Sequence, residues 1–162
     1  MAARAIARRC SSAASSSRRP ARVSIVYGTF CNGSSRLDAQ AIAASATASN
    51  LHFRVKVEDG AAFDFDGLRD TAFLLVSTSS WLGMPPANLA GFAQQLLLAA
   101  ETHPGCLAHL QHAVWGRGDE RWLRTYMSVP RHLDALLSRC GSRRFFARGE
   151  LGEPHAPTSA AS

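Results

Sequence analysis

One stretch decides the fold: Val23-Ser24-Ile25-Val26-Tyr27-Gly28-Thr29-Phe30-Cys31-Asn32-Gly33-Ser34-Ser35. A β-branched apolar run stops at a glycine. Hydroxyls, a thiol and a second glycine follow, and a helical pattern begins at Leu37. Strand, small-residue loop and helix in that order build an anion seat, because loop amides and the helix's positive end converge above the strand's carboxyl edge. A plain tight turn does not need Thr29, Ser34 and Ser35 set around two glycines.

Outward from this stretch, two more apolar runs end in the same manner. Ala72-Phe73-Leu74-Leu75-Val76 passes into Ser77-Thr78-Ser79-Ser80-Trp81-Leu82-Gly83-Met84-Pro85-Pro86. Residues 110–115 pass into Gly116-Arg117-Gly118-Asp119-Glu120-Arg121-Trp122. Helical spacing over residues 35–48 predicts a helix after the first loop. Asn88 is placed to cap a second helix, with Leu89, Phe92, Ala93, Leu96, Leu97 and Ala100 on its apolar stripe. A third starts at Ser128, carries Leu133, Leu136 and Leu137, and ends at Gly141, a natural C′ residue. Residues 51–57 alternate as a half-exposed strand, residues 63–70 allow a turn or two of helix, and residues 144–147 form a last strand. The order β-α-β-(α)-β-α-β-α-β specifies a doubly wound parallel sheet with three small-residue loops gathered at its carboxyl edge.

The chain has 162 residues, 46% apolar and 19% charged, enough for one domain with a core of its own. Its net charge of +6 resides in the leader, where Arg4, Arg8, Arg9, Arg18, Arg19 and Arg22 meet no acidic residue. Without them twelve basic residues face twelve acidic ones, so the basic pI is poor evidence for nucleic-acid binding. Residues 1–22, rich in Arg, Ser and Ala, have the composition of an organelle transit peptide, mitochondrial or plastid. No apolar run reaches the roughly 18 residues of a membrane-spanning helix. The four cysteines lack metal spacing, and His109 and His112, three apart on a strand, are read as surface histidines and not zinc ligands. A single lysine, Lys56, and no GxxxxGK[ST] exclude a P-loop nucleotidase.

The three loops together resemble the flavodoxin family, and in particular the FMN-binding domain of diflavin reductases. The family's first loop (aromatic, Gly, Ser/Thr, any residue, Thr, Gly, Asn/Thr) is similar to Tyr27-Gly28-Thr29-Phe30-Cys31-Asn32-Gly33-Ser34, with Cys31 replacing a Thr and Asn32-Gly33 inverting the usual order. Its second loop is similar to Ser79-Ser80-Trp81-Leu82-Gly83-Met84-Pro85-Pro86-Ala87-Asn88, and its third to Gly116-Arg117-Gly118-Asp119-Glu120-Arg121-Trp122. The resemblance implies a flavodoxin-like five-stranded parallel sheet of order 2-1-3-4-5 over residues 23–149, with helices on both faces. The family's last helix is missing, and residues 149–162 are left as an unstructured tail.

It also implies FMN as cofactor. Gly28, Thr29, Phe30, Cys31, Asn32, Gly33 and Ser34 would hold the phosphate, while Ser79, Ser80, Trp81, Gly83, Gly116, Gly118, Asp119 and Trp122 would hold the ring. Trp81 and Trp122 are the stacking candidates. Arg117, Arg121 and Arg124 are expected to favour a reduced, anionic flavin by Coulomb attraction. The implied role is electron transfer between a reductase and an acceptor protein, without catalytic residues of its own and with no NADPH-binding domain following. A second reading keeps the fold but not the flavin, leaving an interaction or structural module.

Overall fold

The computed structural model describes residues 20–30, 33–49 and 52–152. In chain order they form β1 (Ala21–Gly28), α1 (Ser34–Ala48), β2 (Phe53–Asp59), a 3-10 helix (Phe65–Asp70), β3 (Phe73–Ser80), α2 (Ala87–Thr102), β4 (Gln111–Gly118), α3 (Ser128–Arg139), β5 (Arg143–Arg144) and β6 (Gly149–Gly152). All pairings between strands are parallel, and the sheet order is β2-β1-β3-β4-β5, as the resemblance implied. The expected loss of a closing helix concerns residues past 152, outside those described.

Two corrections fall at the ends of the sheet. β1 begins at Ala21, whose N–H donates to His52 O at 3.0 Å, so the last two residues of the assigned leader belong to the sheet. Residues 149–152 are strand and not tail: β6 lies along the upper half of β4, with Trp115 opposite Gly149 and Gly118 opposite Gly152. The fifth position is thus shared by two pieces. The chain runs from 144 to 149 while β4 advances only from 112 to 115, and the surplus residues leave the ladder between β5 and β6. Gly149 reads as a terminator in sequence. In the fold it makes room, since a methyl group there would lie 1.9 Å from the Trp115 ring.

Alternation sends β1 and β3 side chains to two cores. On one face Val23, Ile25, Phe73 and Leu75 pack with Ala39 and Ile42 of α1 and with Phe145. On the other, Val26, Leu74, Val76 and Val114 pack under Leu89, Phe92 and Leu96 of α2 and Leu133, Leu136 and Leu137 of α3. Every residue of β3 is buried, which explains its unbroken apolar run. Each buried leucine contributes about 1.5–3 kcal/mol, an upper bound because the unfolded chain is not fully extended. α3 stops as expected: Gly141 at φ 88 lets the Ser142 N–H reach Leu137 O and its own N–H reach Ser138 O, both at 3.0 Å. α2 starts differently, with Pro86 at the N-cap and no side-chain cap. Asn88 reaches instead toward β1 and β2.

Candidate functional site

The carboxyl ends of β1, β3 and β4 bring the three loops to one edge of the sheet. In the first, close packing decides Gly28, where a methyl group would lie 2.5 Å from Leu89 Cβ. The Thr29 N–H donates to Asn88 Oδ1 at 3.0 Å and its hydroxyl to Phe30 O at 3.2 Å, so both Thr29 donors are taken within the protein. Cys31 and Asn32 lie outside the described residues. Gly33, at φ 68, forms the N-cap of α1 and donates to Phe30 O at 3.1 Å. Space around it is open, and α1 starts with no side-chain cap and no acidic residue in its first turn. A helix beginning so offers its first amides, and the positive end of its dipole, to an outside acceptor.

The second and third loops are laced together. Ser80 Oγ donates to Thr125 O at 2.9 Å and lies 3.1 Å from Ser128 Oγ. Between Trp81 and Met84 the chain makes a tight turn, closed by the Met84 N–H on Trp81 O at 2.9 Å, with Leu82 at φ 50 and Gly83 at φ 80. A leucine held in the left-handed region costs about 1–2 kcal/mol. The turn therefore holds Leu82 outward against its own preference, 54% exposed. Gly116 is packed on Pro130, and Gly118 sits beside Tyr126. Trp81 and Trp122, both about half exposed, do meet at the mouth of the site, their centroids 5.9 Å apart, and Phe30 lies 6.5 Å from Trp81. The two expected stacking residues touch each other.

Two buried hydroxyls have no hydrogen-bond partner among the described residues, Ser35 Oγ at the start of α1 and Ser79 Oγ near the end of β3. Ser77, two residues before Ser79 on the same strand face, donates to Ser35 O at 2.9 Å. A buried polar atom left unpaired costs about 1–3 kcal/mol. Ser35 lies in the first turn of the uncapped α1, and Ser79 two residues before Trp81. A phosphorylated, flat aromatic ligand fits that combination.

The cationic excess expected at this edge is compensated. Arg117 grips Asp38 of α1 through Nε and, at 2.8 Å, Nη2, and the Trp115 indole N–H joins at 3.2 Å. Asp119 accepts from the Arg121 N–H at 2.9 Å and from its guanidinium. An acid within reach screens two of the three arginines assigned to the ring, so the strong bias toward an anionic reduced flavin does not follow.

His112 corrects a further expectation: it is wholly buried and not on the surface. It lies 2.8 Å from Ser142 Oγ and 3.2 Å from Asp134 Oδ1. Burial pushes its pKa below the usual value despite that carboxylate. Asp134, on the buried face of α3, also accepts from Arg144 (2.8 and 2.6 Å) and Arg148 (2.8 Å). Burial alone would raise Asp134; the hydrogen bonds and charge of Arg144, aided by His112, outweigh it and hold the carboxyl low. Arg148 continues to Glu150 at 2.8 Å, which Arg131 also grips at 3.0 and 2.7 Å. The Arg131 hydrogen bond is the main cause that takes Glu150 down to about 2. This cluster ties β4, α3, β5 and β6 at one corner. Among the described residues no group of acids, histidines and cysteines is arranged to hold a metal ion, and no helix is long and apolar enough to cross a membrane.

With this geometry in view, comparison with known proteins gives a consistent answer. A family model described as "Flavodoxin" matches residues 25–161. A bifunctional cytochrome P450/NADPH–P450 reductase of Bacillus subtilis is 44% identical over 77 residues, 48% of this chain and 7% of its own length. A self-sufficient cytochrome P450 monooxygenase of Phanerodontia chrysosporium is 32% identical over 78% of this chain and 11% of its own. The chain thus spans about a tenth of the length of these relatives. Among solved structures, a flavodoxin variant from Pseudomonas aeruginosa superposes with a TM-score of 0.69 at 21% identity, covering 85% of this chain and 87% of that one.

Proposed function

The chain belongs to the flavodoxin family, and from that premise we propose that it binds FMN at the carboxyl edge and carries electrons between a reductase and an acceptor protein. The observation that carries the reading is the pair of buried, unpartnered hydroxyls, Ser35 and Ser79, beside the uncapped start of α1. When bound, the cofactor supplies the redox chemistry. The chain's residues do the rest. The first-turn amides of α1 and the Ser34 and Ser35 hydroxyls would receive the phosphate, Ser79 would meet the polar edge of the ligand, and Trp81 and Trp122 would cover the ring from water. The relative named as a bifunctional cytochrome P450/NADPH–P450 reductase supports a cytochrome P450 as acceptor.

The test is direct. The purified chain should carry, or take up on incubation, a yellow chromophore with a flavin spectrum, and FMN should raise its unfolding temperature by mass action. A colourless chain that FMN does not stabilise would favour the flavin-free interaction module. The arginine-rich leader supports delivery to an organelle as part of the same proposal. Residues 1–22 fused to a fluorescent protein should then direct it to mitochondria or plastids, and a diffuse signal would refute that part.

A further inference from the structure

Asn88 was expected to cap α2 and does not. Its side chain stands at the meeting of three elements. Oδ1 accepts the Thr29 N–H of the first loop at 3.0 Å, while Nδ2 donates to both Asp59 oxygens, at 3.2 and 3.1 Å, at the end of β2. Asp59 is in turn held by the Ala61 N–H at 2.9 Å and by the Tyr27 hydroxyl. Burial would raise its pKa; the hydrogen bonds from Ala61, Asn88 and Tyr27 outweigh it, so the carboxylate stays charged and a strong acceptor. There is no slack around this hub. A methyl group on Gly60 would lie 2.5 Å from Asn88 O, and one on Gly28 would meet Leu89 at 2.5 Å.

Resting on the cofactor reading above, we infer that Asn88, oriented by Asp59, is a positioning residue that fixes the first loop at Thr29 and so selects a phosphorylated ligand over its unphosphorylated form. Asn88 touches the loop through the Thr29 backbone amide. Because that amide is bound to Asn88, Thr29 is an anchor of the loop and not one of its phosphate donors. The proposed donors at the start of α1, Ser34 and Ser35, follow it in the chain. The residues proposed to cover the ring, Trp81 and Trp122, meet each other and are not among the described hydrogen-bond partners of Asn88 and Asp59.

The experiment compares FMN with riboflavin on the full chain, with thermal unfolding of each variant as a control. Asn88→Ala should weaken FMN about tenfold, on the scale of a lost, well-formed hydrogen bond, and leave riboflavin within about twofold. Asn88→Asp sets two carboxylates together and should do the same. The exchange Asn88→Asp with Asp59→Asn keeps an acceptor for Thr29 and a donor between the two side chains, and should restore FMN to within about threefold of wild type. Equal loss of both ligands in Asn88→Ala, unchanged FMN affinity, or an exchange variant that folds but fails to recover FMN would overturn the positioning role alone. A wild-type chain that binds neither ligand overturns the cofactor reading and this inference with it.

Discussion

Two regions of the molecule treat their polar groups in opposite ways. At the corner of α3, β5 and β6, Asp134 is almost wholly buried and has partners on every side: Arg144, Arg148 and His112. At the carboxyl edge, the hydroxyls of Ser35 and Ser79 are buried and have none among the described residues. The corner is a finished structure, in which charge was buried because its counter-charges came with it. The edge keeps buried polar groups that the described residues do not pair. Unpaired hydroxyls, a left-handed leucine and two tryptophans touching across the mouth occur together there, and such strain persists where binding needs it.

The sharpest way to break this contrast is Asp134→Ala. It strands a buried histidine and two arginines, and should cost about 3–5 kcal/mol in urea unfolding. A loss under about 1 kcal/mol would show that the corner is as loosely committed as the edge. Next is Gly149→Ala, which drives a methyl group into the Trp115 ring. It should cost about 1–3 kcal/mol by overpacking, with a change in Trp115 fluorescence.

The corner should also respond to acid. Glu150 titrates at about 2 in the folded chain against 4.5 as its ordinary value. The folded state therefore holds the ionised form more tightly. Its contribution is complete above about pH 5 and is lost as pH falls toward 2. Glu150→Gln should flatten stability over that window, and a parallel pH profile would remove Glu150 from the account. The smallest effect sharpens the contrast most. Ser79→Ala breaks no hydrogen bond, so stability without ligand should move by under about 0.5 kcal/mol. FMN affinity should fall severalfold, and an unchanged affinity would leave the orphan hydroxyl without a purpose.

Much of this was legible in sequence because it repeats. Three apolar runs, each stopped by a loop of small residues, fix a parallel sheet and the edge where its loops meet. Helix periods and the Gly141 stop follow from local chemistry, while Trp81 and Trp122 were singled out by the family resemblance. The corner was not legible. A buried histidine, an aspartate among leucines and a cluster of arginines have no period, and their meaning depends on residues 10 to 22 apart finding one another. The excess of arginine late in the chain was the available signal, and it belongs partly to Asp134 and Glu150 and not to a flavin. Asn88 misled for the opposite reason. A good capping residue stood beside a helix start, but a tertiary acceptor and donor drew it elsewhere.

The broken fifth strand has a consequence for assembly. A long, flat outer strand is an invitation to another chain, since its unpaired amides can continue a ladder. Here one margin of the sheet is β2, which turns Arg54 and Lys56 to solvent. The other is only two residues of β5 and four of β6, with an interruption between them. Neither margin offers a clean template. Among the described strands, another chain joining edge to edge would meet only short or charged margins.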